Sequence, residues 1–141
     1  MDYYRNIINL SDDMDNKKNL SRPVYLNLLK IRQPVTALAS IGHRISGVLL
    51  FLAIPLMIWM LDRSLQGPEG YQQIAMLYDQ PLMKLLLLLM AWAGAHHFFA
   101  GIRFLLIDID WGVDLATARR TAMVVNICGV IGVLIALIIL L

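Results

Sequence analysis

The sequence predicts an all-α membrane protein with three transmembrane helices, and three observations carry that prediction. Of 141 residues, 59% are apolar and only 16% charged, against roughly 45–50% and 25% in soluble domains. The mean hydropathy is +0.66. A chain of single-domain length cannot enclose so much apolar surface, because small domains bury the least. The apolar residues also gather into three runs free of charge. A net charge of +2 excludes a strongly basic nucleic-acid surface. Cys128, the single cysteine, excludes an internal disulfide or a multi-thiolate metal site.

The first run, Ile45 to Leu61, is 17 residues long between Arg44 and Asp62. The second, Leu85 to Ile102, is 18 residues long between Lys84 and Arg103, and the third, Thr121 to Leu141, has 21 after Arg120. A hydrocarbon core needs about 20 residues of helix, and lipid offers the backbone no hydrogen bonds, so the spanning segments should be helices. Pro34 suits a first helical position, where its missing N–H costs nothing. Pro55 is a candidate kink. The expected spans are about 34–61, 82–107 and 119–141. Residues 1–20, polar with an Asp12-Asp13-Met14-Asp15 cluster, read as a solvated tail, and 21–141 as one membrane domain. Gly67-Pro68-Glu69-Gly70 lies in the loop between the first two spans, and Tyr71 to Met83 after it reads as a short interfacial helix.

Basic residues set the orientation. With the N-terminus inside, 10 of the 12 lysines and arginines lie on the inner side, leaving only Arg63 and Lys84 outside. Such a bias predicts the N-terminus inside and the C-terminus outside, with Trp59 and Trp111 near opposite faces.

Some chemistry is excluded by missing motifs. No glycine-rich nucleotide fingerprint, P-loop or metal-spaced cluster occurs, so the chain is not expected to bind a flavin or an iron–sulfur cluster by itself. His96 and His97 lie inside the second span. Counted from Arg103, His97 is about 9 Å deep, where an ionisable side chain usually faces protein or a cofactor. Ala93, Gly94 and Gly101 share its helical face, a smooth surface on which a flat macrocycle can lie. His96 shares its face with Trp92, Phe99 and Arg103, a packing surface. A neutral histidine bonded between helices is the plainer reading of either; of the two, His97 is the better haem ligand. His43, near the inner surface, is expected about 10 Å shallower than His97, so the opposite axial ligand should come from another polypeptide. Ser40, His43, Arg44 and Gly47 form a second constellation, one polar stripe of a helix where the chain enters lipid. It reads equally as a binding site or as a snorkelling arginine with capping groups.

Arg22-Pro23-Val24-Tyr25-Leu26, Ile31-Arg32-Gln33-Pro34 and Ser40-Ile41-Gly42-His43-Arg44-Ile45-Ser46-Gly47 together resemble the cytochrome b556 membrane-anchor subunits of succinate dehydrogenase. So does His97-Phe98-Phe99-Ala100-Gly101-Ile102-Arg103 closing on Asp108. The motif likeness covers residues 21–112. The resemblance implies a subunit of a bacterial complex II in the inner (cytoplasmic) membrane, N-terminus cytoplasmic and C-terminus periplasmic. A second anchor, an iron–sulfur subunit and a flavoprotein would complete the complex. It implies His97 as axial ligand of a haem b shared with the second anchor, with His43 and Arg44 near the propionates. Ser40 and Arg44 would line the ubiquinone site, and Asp108, with Asp114 a weaker candidate, would assist proton uptake. Phe104 stands where some relatives have a further histidine. In this reading the anchor passes electrons from succinate oxidation to ubiquinone, hydrogen bonds and a positive field stabilising the negatively charged stages of reduction. The alternatives are a proton-relay or transporter subunit and a purely structural anchor.

Overall fold

The computed structural model describes residues 32–140, and among these it is entirely helical. Four helices follow in order: α1 (Val35–Leu65), α2 (Pro68–Tyr78), α3 (Pro81–Asp108) and α4 (Leu115–Leu140). Helices α1, α3 and α4 are each long and apolar enough to cross a membrane. The expected tail at 1–20 and the motif residues from Arg22 to Ile31 lie outside the described residues.

Local chemistry fixes each helix end. Pro34 takes the N-cap rather than the first helical position, with φ −66° and ψ 152°, and its carbonyl accepts from Ala37 and Leu38 N–H at 2.9 and 3.2 Å. A proline suits either place, because its fixed φ matches both the helix and the extended cap. Helix α1 runs unbroken through Pro55 to Leu65, four residues beyond the expected end. The interfacial helix begins at Pro68 and ends at Tyr78 instead of spanning 71–83. Gly67, at φ 114°, turns the chain, and Pro68 opens the helix; after Asp79 and Gln80, Pro81 opens α3 in the same way.

Asp110 ends α3 in the left-handed region at φ 58°. Trp111 N–H reaches back to the Leu106 carbonyl and Asp110 N–H to that of Ile107, at 3.0 and 2.9 Å. Together these form a Schellman close with aspartate in the place usually taken by glycine. Asp114 then caps α4: its carboxylate accepts the Thr117 N–H at 2.9 Å. Helix α4 therefore starts at Leu115 and not near residue 119, because a cap outweighs the two arginines from which the apolar run was counted.

The three long helices pack as an antiparallel bundle. Small residues hold it together, as is usual where lipid removes the hydrophobic drive between helices. Ala39, Ser46, Ala93, Ala100 and Ala122 are almost completely buried, and a Cβ placed on Gly132 of α4 would stand 2.6 Å from Ala95 Cβ of α3. Around α2 the packing is different: Met60, Ile74 and Met83 form a cluster of bulky side chains with Leu56, Leu77, Leu86 and Leu87. No more than 17% of the apolar window of any span is buried, so Phe51, Leu52, Phe98, Val130 and many like them face outward. Such surfaces require lipid or other helices against them.

Candidate functional site

The site forms where α1 crosses α3 near the Pro34 end of the bundle. Each helix brings a histidine followed four residues later by a glycine: His43 and Gly47 on α1, His97 and Gly101 on α3. Residues four apart share a helical face, and the two faces interlock reciprocally. A Cβ on Gly47 would lie 2.9 Å from His97 Cε1, and one on Gly101 would lie 3.9 Å from His43 Nε2. The two imidazoles stack, centroids 4.1 Å apart and planes 7° from parallel. Phe104 meets His43 edge-on at 5.1 Å.

This stack overturns the depth difference expected between His43 and His97, whose rings lie level. The expectation counted inward from Arg44 and Arg103 as if both marked the water boundary. Arg103 is instead buried, its Nε donating to Thr121 Oγ1 at 3.1 Å and its Nη2 to the Ala118 carbonyl at 3.4 Å. The stagger of α1 on α3 follows the histidine–glycine interlock, not the charges. His43 still cannot face His97 across a shared iron, for a different reason: parallel stacked rings do not aim nitrogens at a point between them.

The hydrogen bonds give the neighbouring histidines opposite tautomers. His97 Nδ1 lies 3.1 Å from the His43 carbonyl. A carbonyl only accepts, so Nδ1 carries the proton and Nε2 the lone pair. Ser46 Oγ lies 3.2 Å from the same Nδ1 and donates to the same carbonyl at 2.9 Å. His96 Nε2 lies 3.1 Å from Asn126 Oδ1, an acceptor, so His96 is protonated at Nε2. His96 is 2% exposed, with the Trp92 ring 5.3 Å away and Gly42 so close that a Cβ there would meet its Cε1 at 2.6 Å. Its Nδ1 is buried without a partner among the described residues, whereas His97 is half-buried. The face on which His97 stands remains smooth, since nothing lies within 4 Å of where a Cβ on Gly94 would project. His97 thus keeps its lone pair on Nε2, free of the bond at Nδ1, whereas His96 is held in packing against Asn126 and Trp92. Among the described residues no group of three metal-ligating side chains occurs.

The polar stripe of α1 divides. His43 and Gly47 turn toward α3, Ser40 is half-buried, and Arg44 is exposed. Asp108, the last residue of α3, is exposed at the same end of the bundle. Asp114 is engaged as a helix cap, and its hydrogen bonds from Thr117 hold its carboxyl below the ordinary value of 3.8. Sequence reasoning assigned no role to Ser46, Asn126 or Thr121. Asn126 could have been singled out as an amide inside an apolar run. Ser46 could have been noticed three residues from His43, though nothing in its spacing shows that it reaches the other helix.

Fold and site define a polytopic helical membrane protein whose first and second spanning helices interlock through two stacked histidines. Residues 18–138 match the family of succinate dehydrogenase/fumarate reductase transmembrane subunits, and the chain belongs to that family. It is 37% identical over 119 residues to a succinate dehydrogenase cytochrome b556 subunit of Coxiella burnetii, covering 84% of this chain and 95% of the relative. Subunits of the same description from Rickettsia typhi and Paracoccus denitrificans are each 28% identical, covering 78% and 72% of this chain and 86% and 78% of the relatives. That family is one of transmembrane subunits of an oxidoreductase, and the proton-relay or transporter alternative falls away.

Proposed function

We propose that His97 Nε2 would hold the iron of a haem b, and that Ser40 and Arg44 bind the head group of ubiquinone. The single observation that carries the reading is the bond of His97 Nδ1 to the His43 carbonyl, which assigns the lone pair to Nε2. Outer partners of this kind commonly orient ligating histidines and raise their basicity. The open surface at Gly94, one helical turn before His97, gives a planar group room against the backbone. Bound there, haem b supplies one-electron exchange within the membrane. A further iron ligand would come from a second anchor subunit, since His43 is stacked beside His97 and His96 is sealed against Asn126. His43 and Arg44 hold the propionates.

At the quinone, Arg44 offers a fixed charge and a planar fork of donors, and Ser40, one turn earlier on the same face, offers a hydroxyl. Both act by binding and orienting the head group, and Arg44 also stabilises the negative charge that develops on its oxygens. Asp108, exposed at that end, passes protons in from the aqueous side. The chain lies in the bacterial inner membrane, N-terminus cytoplasmic and C-terminus periplasmic, as the basic-residue bias supports. The flavoprotein, which carries the flavin, and the iron–sulfur subunit with its clusters dock on the cytoplasmic side, and succinate oxidation feeds electrons through them to ubiquinone.

The test is the reduced-minus-oxidised spectrum and haem content of the purified complex. Wild type should show a b-type haem. His97→Ala should lose the axial ligand and disturb the spectrum more than His96→Ala. Full haem with an unaltered spectrum in His97→Ala would refute the assignment.

A further inference from the structure

Ser46 is fully buried, yet neither the ligand nor the quinone assignment uses it. A serine inside a helix commonly bonds back to a carbonyl of the preceding turn, which accounts for its 2.9 Å bond to His43. It does not account for the second contact, 3.2 Å to His97 Nδ1 on a different helix. The hydroxyl proton is already directed at the His43 carbonyl, so a lone pair of Oγ is what faces Nδ1. His97 Nδ1–H is therefore shared between two oxygens, the carbonyl at 3.1 Å and the hydroxyl at 3.2 Å. One acceptor alone would leave the imidazole free to pivot about the bond. Two acceptors on its edge and the His43 ring stacked on its face, 4.1 Å away, fix both plane and tautomer.

We propose that Ser46 is a positioning residue for His97: it sets the rotation of the imidazole and, by accepting from Nδ1–H, raises the electron density at Nε2. The proposal rests on the assignment of His97 as a haem ligand. A hydroxyl that donates onward is also a better acceptor, since chained hydrogen bonds polarise one another. Density pushed onto the ligating nitrogen favours the oxidised iron, so Ser46 lowers the haem potential. Loss of the hydroxyl raises it.

The experiment uses the complete complex purified from membranes, comparing wild type with Ser46→Ala, Ser46→Cys and Ser46→Thr. Haem content is measured first, then the haem midpoint potential by redox titration and the ferric low-spin electron paramagnetic resonance spectrum. Ser46→Ala should keep the haem, shift its potential upward and alter the low-spin g values. Ser46→Cys, whose thiol is a weaker acceptor, should fall between alanine and wild type. Haem retained with wild-type potential and g values in Ser46→Ala would overturn the proposal. Should Ser46→Ala and Ser46→Cys both lose the haem, recovery of haem in Ser46→Thr, which keeps the hydroxyl, supports the proposal, and its failure there reduces Ser46 to a packing residue. A wild-type complex without haem b, or haem unchanged in His97→Ala, would overturn the ligand assignment and this role with it. A change in His97→Ala without one in Ser46→Ala refutes only the role of Ser46.

Discussion

The two ends of the α1–α3 crossing are built on opposite rules. Near Pro34 the contact consists of glycine, alanine and serine, with three histidine rings and one arginine threaded between the helices. Near α2 it consists of methionine, leucine and isoleucine, and a groove of 380 Å³ bounded by Leu50, Met57, Met60, Tyr78 and Leu87 opens beside it. At the first end Ser46, His97, His96 Nε2 and Arg103 all have partners, because an unpaired buried group costs about 1–3 kcal/mol. His96 Nδ1 has none among the described residues. At the second, flexible thioethers adapt to whatever lies against them. One end holds side chains in fixed orientations, and the other supplies only contact. A ligand site needs the former, because a ligating histidine a fraction of an ångström out of place is a poor ligand.

The most direct way to break this contrast is to add volume to both ends. Gly47→Val carries a Cβ to within 2.9 Å of His97 Cε1 and adds two methyl groups beyond it. It should dislodge His97 from the His43 carbonyl and abolish haem binding, measured as haem per assembled complex. Leu87→Phe, beside the groove, should leave haem content at the wild-type level. Equal tolerance at both sites would show that the interlock is not what sets the helix stagger.

Arg44 and Arg103 sharpen the comparison within the polar end, one exposed and one bonded between helices. Arg44→Ala should lower succinate-driven ubiquinone reduction by about 10–100-fold, the worth of a charged hydrogen bond of roughly 1.5–3 kcal/mol. Succinate oxidation by an acceptor upstream of the membrane should be spared. Ser40→Ala should cost the same reaction only about 2–10-fold, for a neutral bond of roughly 0.5–1.5 kcal/mol. Unchanged quinone turnover in Arg44→Ala would make that residue a surface anchor. Arg103→Leu should leave Thr121 Oγ1 with only its own bond to the Ala118 carbonyl and weaken α3–α4 docking, seen as a lower unfolding temperature of the complex. At the other end, Met60→Ala should destabilise by about 2 kcal/mol, the low end for a core methionine, without altering the haem spectrum.

Different physics made different parts of this molecule readable from sequence. The spans were legible because charge is excluded from hydrocarbon: charged residues bracket the first two runs, and Arg120 precedes the third. The separation of His97 from His96 was legible too, since Gly94 and Trp92 mark two different faces of one helix. The stagger of α1 against α3 was not, because register between helices depends on which side chain meets which glycine, and Gly47 and Gly101 carry no label of their partners. Ser46 stayed hidden for the same reason: its near contact is three residues away, its telling contact fifty-one. The helix ends were misjudged where a cap, and not hydropathy, decides them, as at Asp114.

That cap yields the smallest of the expected effects, and it lies in the connection between α3 and α4, apart from both packing regimes. Asp114 accepts from Thr117, whose hydroxyl and backbone N–H hold the carboxyl below 3.8. A group with a depressed pKa in the folded state stabilises fully above its unfolded value and ceases to do so as pH falls through the folded one. The first turn of α4 should therefore be protected at neutral pH and begin to fray below about pH 4, the ordinary carboxylate range. Amide hydrogen exchange at Ala116, Thr117 and Ala118 reports this directly. Asp114→Ala should show the frayed exchange at every pH, and Asp114→Asn, which still offers an oxygen to Thr117, should be protected without the pH dependence. Protection in Asp114→Ala equal to wild type would mean that α4 starts where it does because of its packing on α3, with Arg103 bonded to Thr121, and the cap merely follows.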